Sequence, residues 1–231
     1  LPHVPPEHER FGEVQIGLVG VPWDGGTMNR PGARHGPRQL RDYSTMIRAM
    51  NPVTNVNPFT SVNCADLGDV PPNPVDIQDS LHRVTAFYAA LKAQDIVPMT
   101  AGGDHLVALP ILRALASDGP VGLIQFDSHT DLFDSYFGGH KFTHGTPFRR
   151  AVEEGLPLMR VANTGITAGF DSYGRILGQM GLGRQGVLDL PVPPALAPTL
   201  FARFGNLGFF ALIFLIIGSA ACLDLSRSIR Q

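Results

Sequence analysis

The sequence predicts an α/β fold on a mostly parallel sheet, and three features carry that prediction. Short apolar runs rich in β-branched residues recur: VQIGLVGV (Val14–Val21), IVPMT (Ile96–Thr100) and VGLIQF (Val121–Phe126). Segments with helical apolar spacing lie between them. Glycine-bearing polar loops follow the runs directly. Strands buried on both faces read as continuous apolar runs, and parallel neighbours need helical crossovers.

Taken in order, Leu1–Glu13 is rich in proline and charge and reads as an irregular arm. Val14–Val21 is the first strand. PWDGGTMNRPGARHGP is too dense in glycine and proline for regular structure and reads as a loop. RQLRDYSTMIRAM then has helical spacing, with Leu40, Tyr43 and Ile47 on one face. The next stretch is loop-rich, with one strand expected near Ser61–Ala65. Asp79–Lys92 reads as a helix with Leu81, Val84, Ala86, Tyr88 and Leu91 as its apolar positions. Ile96–Thr100 is a second buried strand, followed by AGGDH and a helix over LVALPILRALASDG. Val121–Phe126 is a third strand. PFRRAVEEG is a short helix with Thr146 as N-cap, Pro147 in its first turn and Gly155 as its stop.

The bounds agree with a globular domain. The chain has 231 residues, 44% of them hydrophobic and 16% charged, with a net charge of −2. That gives no support to nucleic-acid binding or to attraction by anionic membranes. Cys64 and Cys222 are far apart and form no CxxC, so neither a disulfide framework nor a cysteine metal site is expected, and a cytoplasmic setting is. No secretory signal pattern follows Leu1.

The chemistry gathers where two strands end. In an extended backbone, residues i, i+2 and i+4 point to one side. If the chain stays extended past Phe126, then Asp127, His129 and Asp131 converge, and such a crowd of carboxylates and imidazole calls for a cation. Carboxylates favour hard ions and imidazole favours transition metals, so a set without thiolate suits Mn, with Zn or Fe(II) as alternatives. Solvated polar residues in a turn are the plainer reading of DxHxD taken alone. GGDH adds to it: two glycines after a buried strand let the backbone bend and approach another group closely, delivering His105 to the same sheet edge.

These motifs together resemble the ureohydrolases, the family of arginases, agmatinases and related guanidino-acid amidinohydrolases. GGDH (Gly102–His105) is similar to the first metal motif of that family, DSHTD (Asp127–Asp131) to the second, with Ser128 where Ala is usual, and HGTPFRRAVEEG (His144–Gly155) to the agmatinase-type third. GVPWDGGTMNRPGARHGPRQLR (Gly20–Arg41) is similar to its N-terminal signature. The resemblance runs from about Val14 to about Gly165. It implies a three-layer α/β/α domain, assembly into trimers or hexamers, and two Mn ions sharing a hydroxide. It implies that His105 and Asp131 bind one ion, His129 binds the other and Asp127 bridges both. The reaction implied is hydroxide attack on a linear, agmatine-like guanidino compound, releasing urea and an amine. His144 matches a proton-handling histidine, while Arg149 and Arg150 are expected in structural ion pairs. No substrate-binding residue is assigned.

The resemblance stops short of the family's later SxDxDxxDP motif. Asp189 in VLDLP and Asp224 in CLDLS are the nearest matches, and neither has an acidic partner two residues on. A domain over 1–190 that lacks its C-terminal part, and a divergent tail over 191–231, are therefore expected. A catalytically impaired ureohydrolase chain with a structural or assembly role is the alternative to an active enzyme. Within the tail, Phe204–Leu223 is apolar and uncharged. A bilayer span, a buried core helix and text from a shifted reading frame are the three readings of it, and the third is expected.

A segment that is apolar all round must be buried, enter lipid or aggregate. The chain ended after Leu190 should therefore be more soluble than the full chain. Comparison of solubility and membrane fractionation checks this; equal solubility with a protease-resistant tail would defeat it.

Overall fold

The computed structural model describes residues 1–196 except 6, 9, 120, 122, 156, 157, 162–165, 174, 192, 193 and 195. In chain order come β1 (Ile16–Gly20), α1 (Gly36–Ser44), α2 (Pro58–Ser61), β2 (Cys64–Asp69), α3 (Ile77–Ala93), β3 (Val97–Ala101), α4 (Ala108–Leu115), β4 (Leu123–Phe126), α5 (Pro147–Glu153), β5 (Leu158–Val161), β6 (Thr167–Phe170) and β7 (Ile176–Met180). The fold class is α/β, as expected, but the strands form two sheets. The first is fully parallel with order β2-β1-β3; the second has order β4-β5-β6-β7, parallel only between β4 and β5.

One face of the first sheet is built by alternation. Gly17 and Val19 of β1 and Ala65 and Leu67 of β2 are buried, and they meet Val84, Tyr88 and Leu91 of α3 and Ala114 of α4 in one core. Gly17 sits against Leu67 because there is no Cβ to occupy that space. Asp76 starts α3 by accepting from the amides of Gln78 (2.8 Å) and Asp79 (3.0 Å), which satisfies two of the helix's orphan donors. Tyr88 sits under the sheet and shares a hydrogen bond of 2.5 Å with Thr100 of β3. A second core joins Leu106 and the α4 residues Leu109 and Leu112 to Phe148 and Ala151 of α5. The layer α3-α4-α5 thus covers one face of both sheets.

The opposite face differs from the expectation. Val97 and Met99 on β3 are 61% and 59% exposed, and Ile124 and Phe126 on β4 are 62% and 82% exposed. Among the described residues, α1 lies on that side, tied to β2 by Arg41, which donates to Asp66 (2.7 Å) and bridges to Asp69. The helix expected to carry Leu40, Tyr43 and Ile47 on one face ends at Ser44, so Ile47 lies beyond it, and all three side chains are exposed. Ala86 of α3 is also exposed, so its apolar character does not serve the core.

Other differences are local. The second strand starts at Cys64, later than the expected Ser61, because α2 occupies the residues before it. Strands β5, β6 and β7 were not expected. Thr146 holds the N-cap position of α5, but its hydroxyl donates to the Lys141 carbonyl (2.7 Å) instead of capping. Pro147 opens the first turn as expected, and Gly155 ends the segment at φ 93°, where a side chain would be strained. Among the described residues no helix is long and apolar enough to cross a membrane, and Phe204–Leu223 lies outside them.

The turn after β3 depends on a close backbone approach. The Asp104 amide donates to the Trp23 carbonyl at 2.6 Å, and a Cβ on Gly103 would lie 1.6 Å from that same carbonyl oxygen. Backbone atoms have little room to yield. Gly103→Ala should therefore cost at least about 1–3 kcal/mol, whereas Gly119→Ala, with open space around it, should stay within about 0.5 kcal/mol. Urea denaturation midpoints of the two variants check the contrast.

Candidate metal centre

His105 lies on a short 3-10 turn just past β3, and Asp127 directly follows β4. Asp131 arrives four residues later in the left-handed region, at φ 50°. His105, Asp127 and Asp131 each offer one ligand atom, and these atoms lie within 4.8 Å of one another. His105 Nδ1 is 3.2 Å from Asp127 Oδ2 and closer still to Asp131 Oδ2. The His105 ring is set edge-on against buried Phe148, with centroids 5.0 Å apart. Among the described residues this is the one group of three or more such ligand types so placed.

The extended geometry behind the sequence reading does not hold. The chain turns immediately after Phe126, because the His129 amide donates back to Asp127 Oδ1 at 2.8 Å. Such an Asx turn replaces strand alternation with a bend. Two of the three side chains still converge, and His129 is turned outward. Its side chain is 80% exposed, with Nδ1 3.3 Å from Asp127 Oδ1. The bend also serves α5: the Asp131 carbonyl accepts from the first-turn amides of Phe148 (3.2 Å) and Arg149 (3.3 Å).

Electrostatics follow from the crowding. Burial works against a charged His105, but the Asp131 carboxylate, helped by Asp127 and Asp104, outweighs it and raises the His105 pKa. Burial also works against a charged Asp127, yet the His129 amide and the neighbouring imidazoles bring its pKa below the usual range. Two carboxylates facing one point need a positive partner, and a protonated His105 would supply it. A divalent cation fits the same donor set of two carboxylates and one imidazole.

His144 is held from the other side of the fold. Its Nδ1 is hydrogen-bonded to the Gly26 carbonyl, and its ring lies 5.8 Å from that of Tyr136 and 6.1 Å from that of Phe137. The Gly26 amide in turn donates to Asp104 Oδ2 at 2.8 Å. Gly26 therefore links His144 to the residue next to His105. Asp104 was not singled out in the sequence. It is buried, accepts also from the Leu106 amide (2.9 Å), and burial raises its pKa. Its place in GGDH was the available signal. The loop from Val21 to Gly36 is fixed by Asp24, which accepts from the amides of Gly32 (2.7 Å) and Arg34 (3.2 Å). The Arg34 guanidinium beside it holds the Asp24 pKa at about 2. Arg149 and Arg150 are in ion pairs, with Glu153 (2.8 Å) and with Asp134 (3.0 Å) respectively.

The pH dependence has two opposed signs. A folded pKa above the unfolded value means that the protonated imidazole stabilises the metal-free fold. That contribution is full below about pH 6.5, the unfolded value, and is lost as pH rises through the folded pKa. A metal must displace the same proton, so affinity falls as pH falls through that window. Denaturation of the metal-free chain and of His105→Gln across pH 5–9, with Mn titrations alongside, should show stability and affinity moving in opposite directions.

The arginase family model matches residues 14–183 of the chain. A guanidinopropionase from Pseudomonas aeruginosa is 53% identical over 150 residues, which is 64% of this chain and 47% of that protein. A mitochondrial agmatinase from Gallus gallus is 50% identical over 155 residues, 66% of this chain and 45% of its own length. A Trypanosoma cruzi formiminoglutamase solved with Mn2+ superposes with a TM-score of 0.61 at 25% identity, covering 69% of this chain and 56% of that one. The chain spans about half the length of the curated relatives it matches.

Proposed function

The chain belongs to the arginase family, and on that premise we propose that it carries part of a manganese-dependent amidinohydrolase site for linear, agmatine-like guanidino compounds. The observation that carries this reading is the convergence of His105, Asp127 and Asp131 where β3 and β4 end. These three would hold one ion, and Asp127 with His129 would share a second. When bound, Mn lowers the pKa of water and stabilises charge that develops on the substrate. The relatives' names, guanidinopropionase and agmatinase, support a guanidino substrate and leave its tail open, since one name implies an acid and the other an amine.

His144 fits a proton-handling role. With Nδ1 engaged by the Gly26 carbonyl, Nε2 is the nitrogen left to exchange a proton with the departing amine. The half-exposed rings of Phe133 and Phe137 with Tyr136 form an apolar wall beside it. Assembly into trimers or hexamers belongs to the same proposal, and the exposed apolar side chains of Leu40, Tyr43 and Ile47 offer surface for it.

A second reading, of an impaired chain, is favoured by the ligand count. Among the described residues no further carboxylate, imidazole or thiolate joins the three, and His129 is turned outward. We expect at most one Mn per chain by elemental analysis, lost in Asp131→Asn. We expect urea release from agmatine and guanidinopropionate to be undetectable or weak, because small misplacements of reacting groups cost about 10²-fold. Two stoichiometric Mn ions with ordinary turnover would refute the impaired reading; absence of Mn binding would refute the site itself.

A further inference from the structure

Asp104 divides its two carboxylate oxygens between a near and a far partner. Oδ1 accepts from the Leu106 amide at 2.9 Å and so caps the short turn that carries His105. Oδ2 accepts from the Gly26 amide at 2.8 Å, 78 residues away in the chain. The first bond is ordinary capping, which Ser or Asn performs as well. The second is not needed by the turn. Serving both amides at once takes two acceptor oxygens and no donor, and among side chains of this length only a carboxylate has them.

Gly26 is where the far bond acts. It is buried, and a Cβ there would lie 3.0 Å from the His144 backbone nitrogen and 3.1 Å from Asp104 Oδ2. Its amide is held by Asp104, and its carbonyl is bonded to His144 Nδ1. A carbonyl oxygen only accepts, so the ring nitrogen facing it carries a proton. In the neutral ring the lone pair is then on Nε2. Between the two bonded groups lie only the φ and ψ of a glycine, the most permissive pair of dihedrals in a chain. Released from Oδ2, the buried amide would lack a partner. A buried donor without an acceptor is costly, so the backbone would turn to find one, and the Gly26 carbonyl would turn with it.

We propose that Asp104 is a positioning residue for His144: through Gly26 it holds the neutral imidazole in the Nδ1–H tautomer, with the basic lone pair on Nε2. The proposal rests on the proton-handling reading of His144 given above. A bare Nε2 can take up a proton, forming the imidazolium, and return it to the departing amine; an Nε2 that already carries a proton cannot take another. One aspartate thereby serves both halves of the site, presenting His105 on its own turn and His144 through its far oxygen.

The experiment is nitrogen NMR of isotopically labelled histidine rings in the full 231-residue chain, at about pH 8.5, where an ordinary imidazole is neutral. The unaltered chain is compared with Asp104→Ser, which keeps an acceptor for the Leu106 amide and is too short to reach Gly26; His144→Gln assigns the signals. The unaltered chain should show His144 with a protonated Nδ1 and a bare Nε2. In Asp104→Ser the Nε2–H form, which free histidine side chains favour, should dominate. The Gly26 amide should then exchange about tenfold faster or more, while that of Tyr88 in α3 keeps its rate. Retention of the Nδ1–H form in Asp104→Ser would overturn the proposal, as would an Nε2–H form in the unaltered chain. Should Asp104→Ser fail to fold, the unaltered chain decides through scalar couplings across the two hydrogen bonds. One runs from the Gly26 amide nitrogen to the Asp104 carboxyl carbon, the other from His144 Nδ1 to the Gly26 carbonyl carbon. Both present would uphold the link, and either one missing would overturn it. A tautomer that follows Asp104 in a chain that binds no Mn would sink the metal-site reading and leave this link standing.

Discussion

The meeting of one imidazole and two carboxylates holds together what the backbone leaves apart. His105 comes from the end of the first sheet, while Asp127 and Asp131 come from the end of the second. No ladder hydrogen bond joins β3 to β4 among the described residues. What joins the sheets is the helical layer under both and this charged contact at their carboxyl ends. Partly buried charges are tolerable when paired and costly when one partner is removed. The group is therefore a structural tie as well as a candidate metal site, and its geometry sets how far apart the two sheets can stand.

Around that tie, distant segments are fastened by backbone groups more than by side chains. Gly26 reaches Asp104 through its amide and His144 through its carbonyl, across 78 and 118 residues. The Asp131 carbonyl caps α5, whose Phe148 fixes the ring of His105. Asp131 achieves this at φ 50°, a conformation that Asp tolerates better than most residues. A backbone bent in this way directs its carboxylate to the cluster and its carbonyl to the helix at once. Buried Asp104 completes the arrangement by anchoring the loop that carries Trp23 and Gly26.

Local chemistry made much of this legible in the sequence. Apolar runs marked β1, β3 and β4; helical spacing over Asp79–Lys92 marked α3, which starts two residues earlier; Gly155 marked the end of α5. GGDH and DSHTD pointed to the corner where His105, Asp127 and Asp131 meet, because residues just past strands gather at one sheet edge. What failed was direction and surroundings. Alternation placed His129 with Asp127, but the Asx turn formed by Asp127 itself took control of the backbone. The helical placing of Leu40 and Tyr43 on α1 was visible, whereas their exposure depends on what the rest of the fold sets against them, and the helix stops before Ile47. Contacts such as that of Gly26 with His144 leave no periodic trace at all.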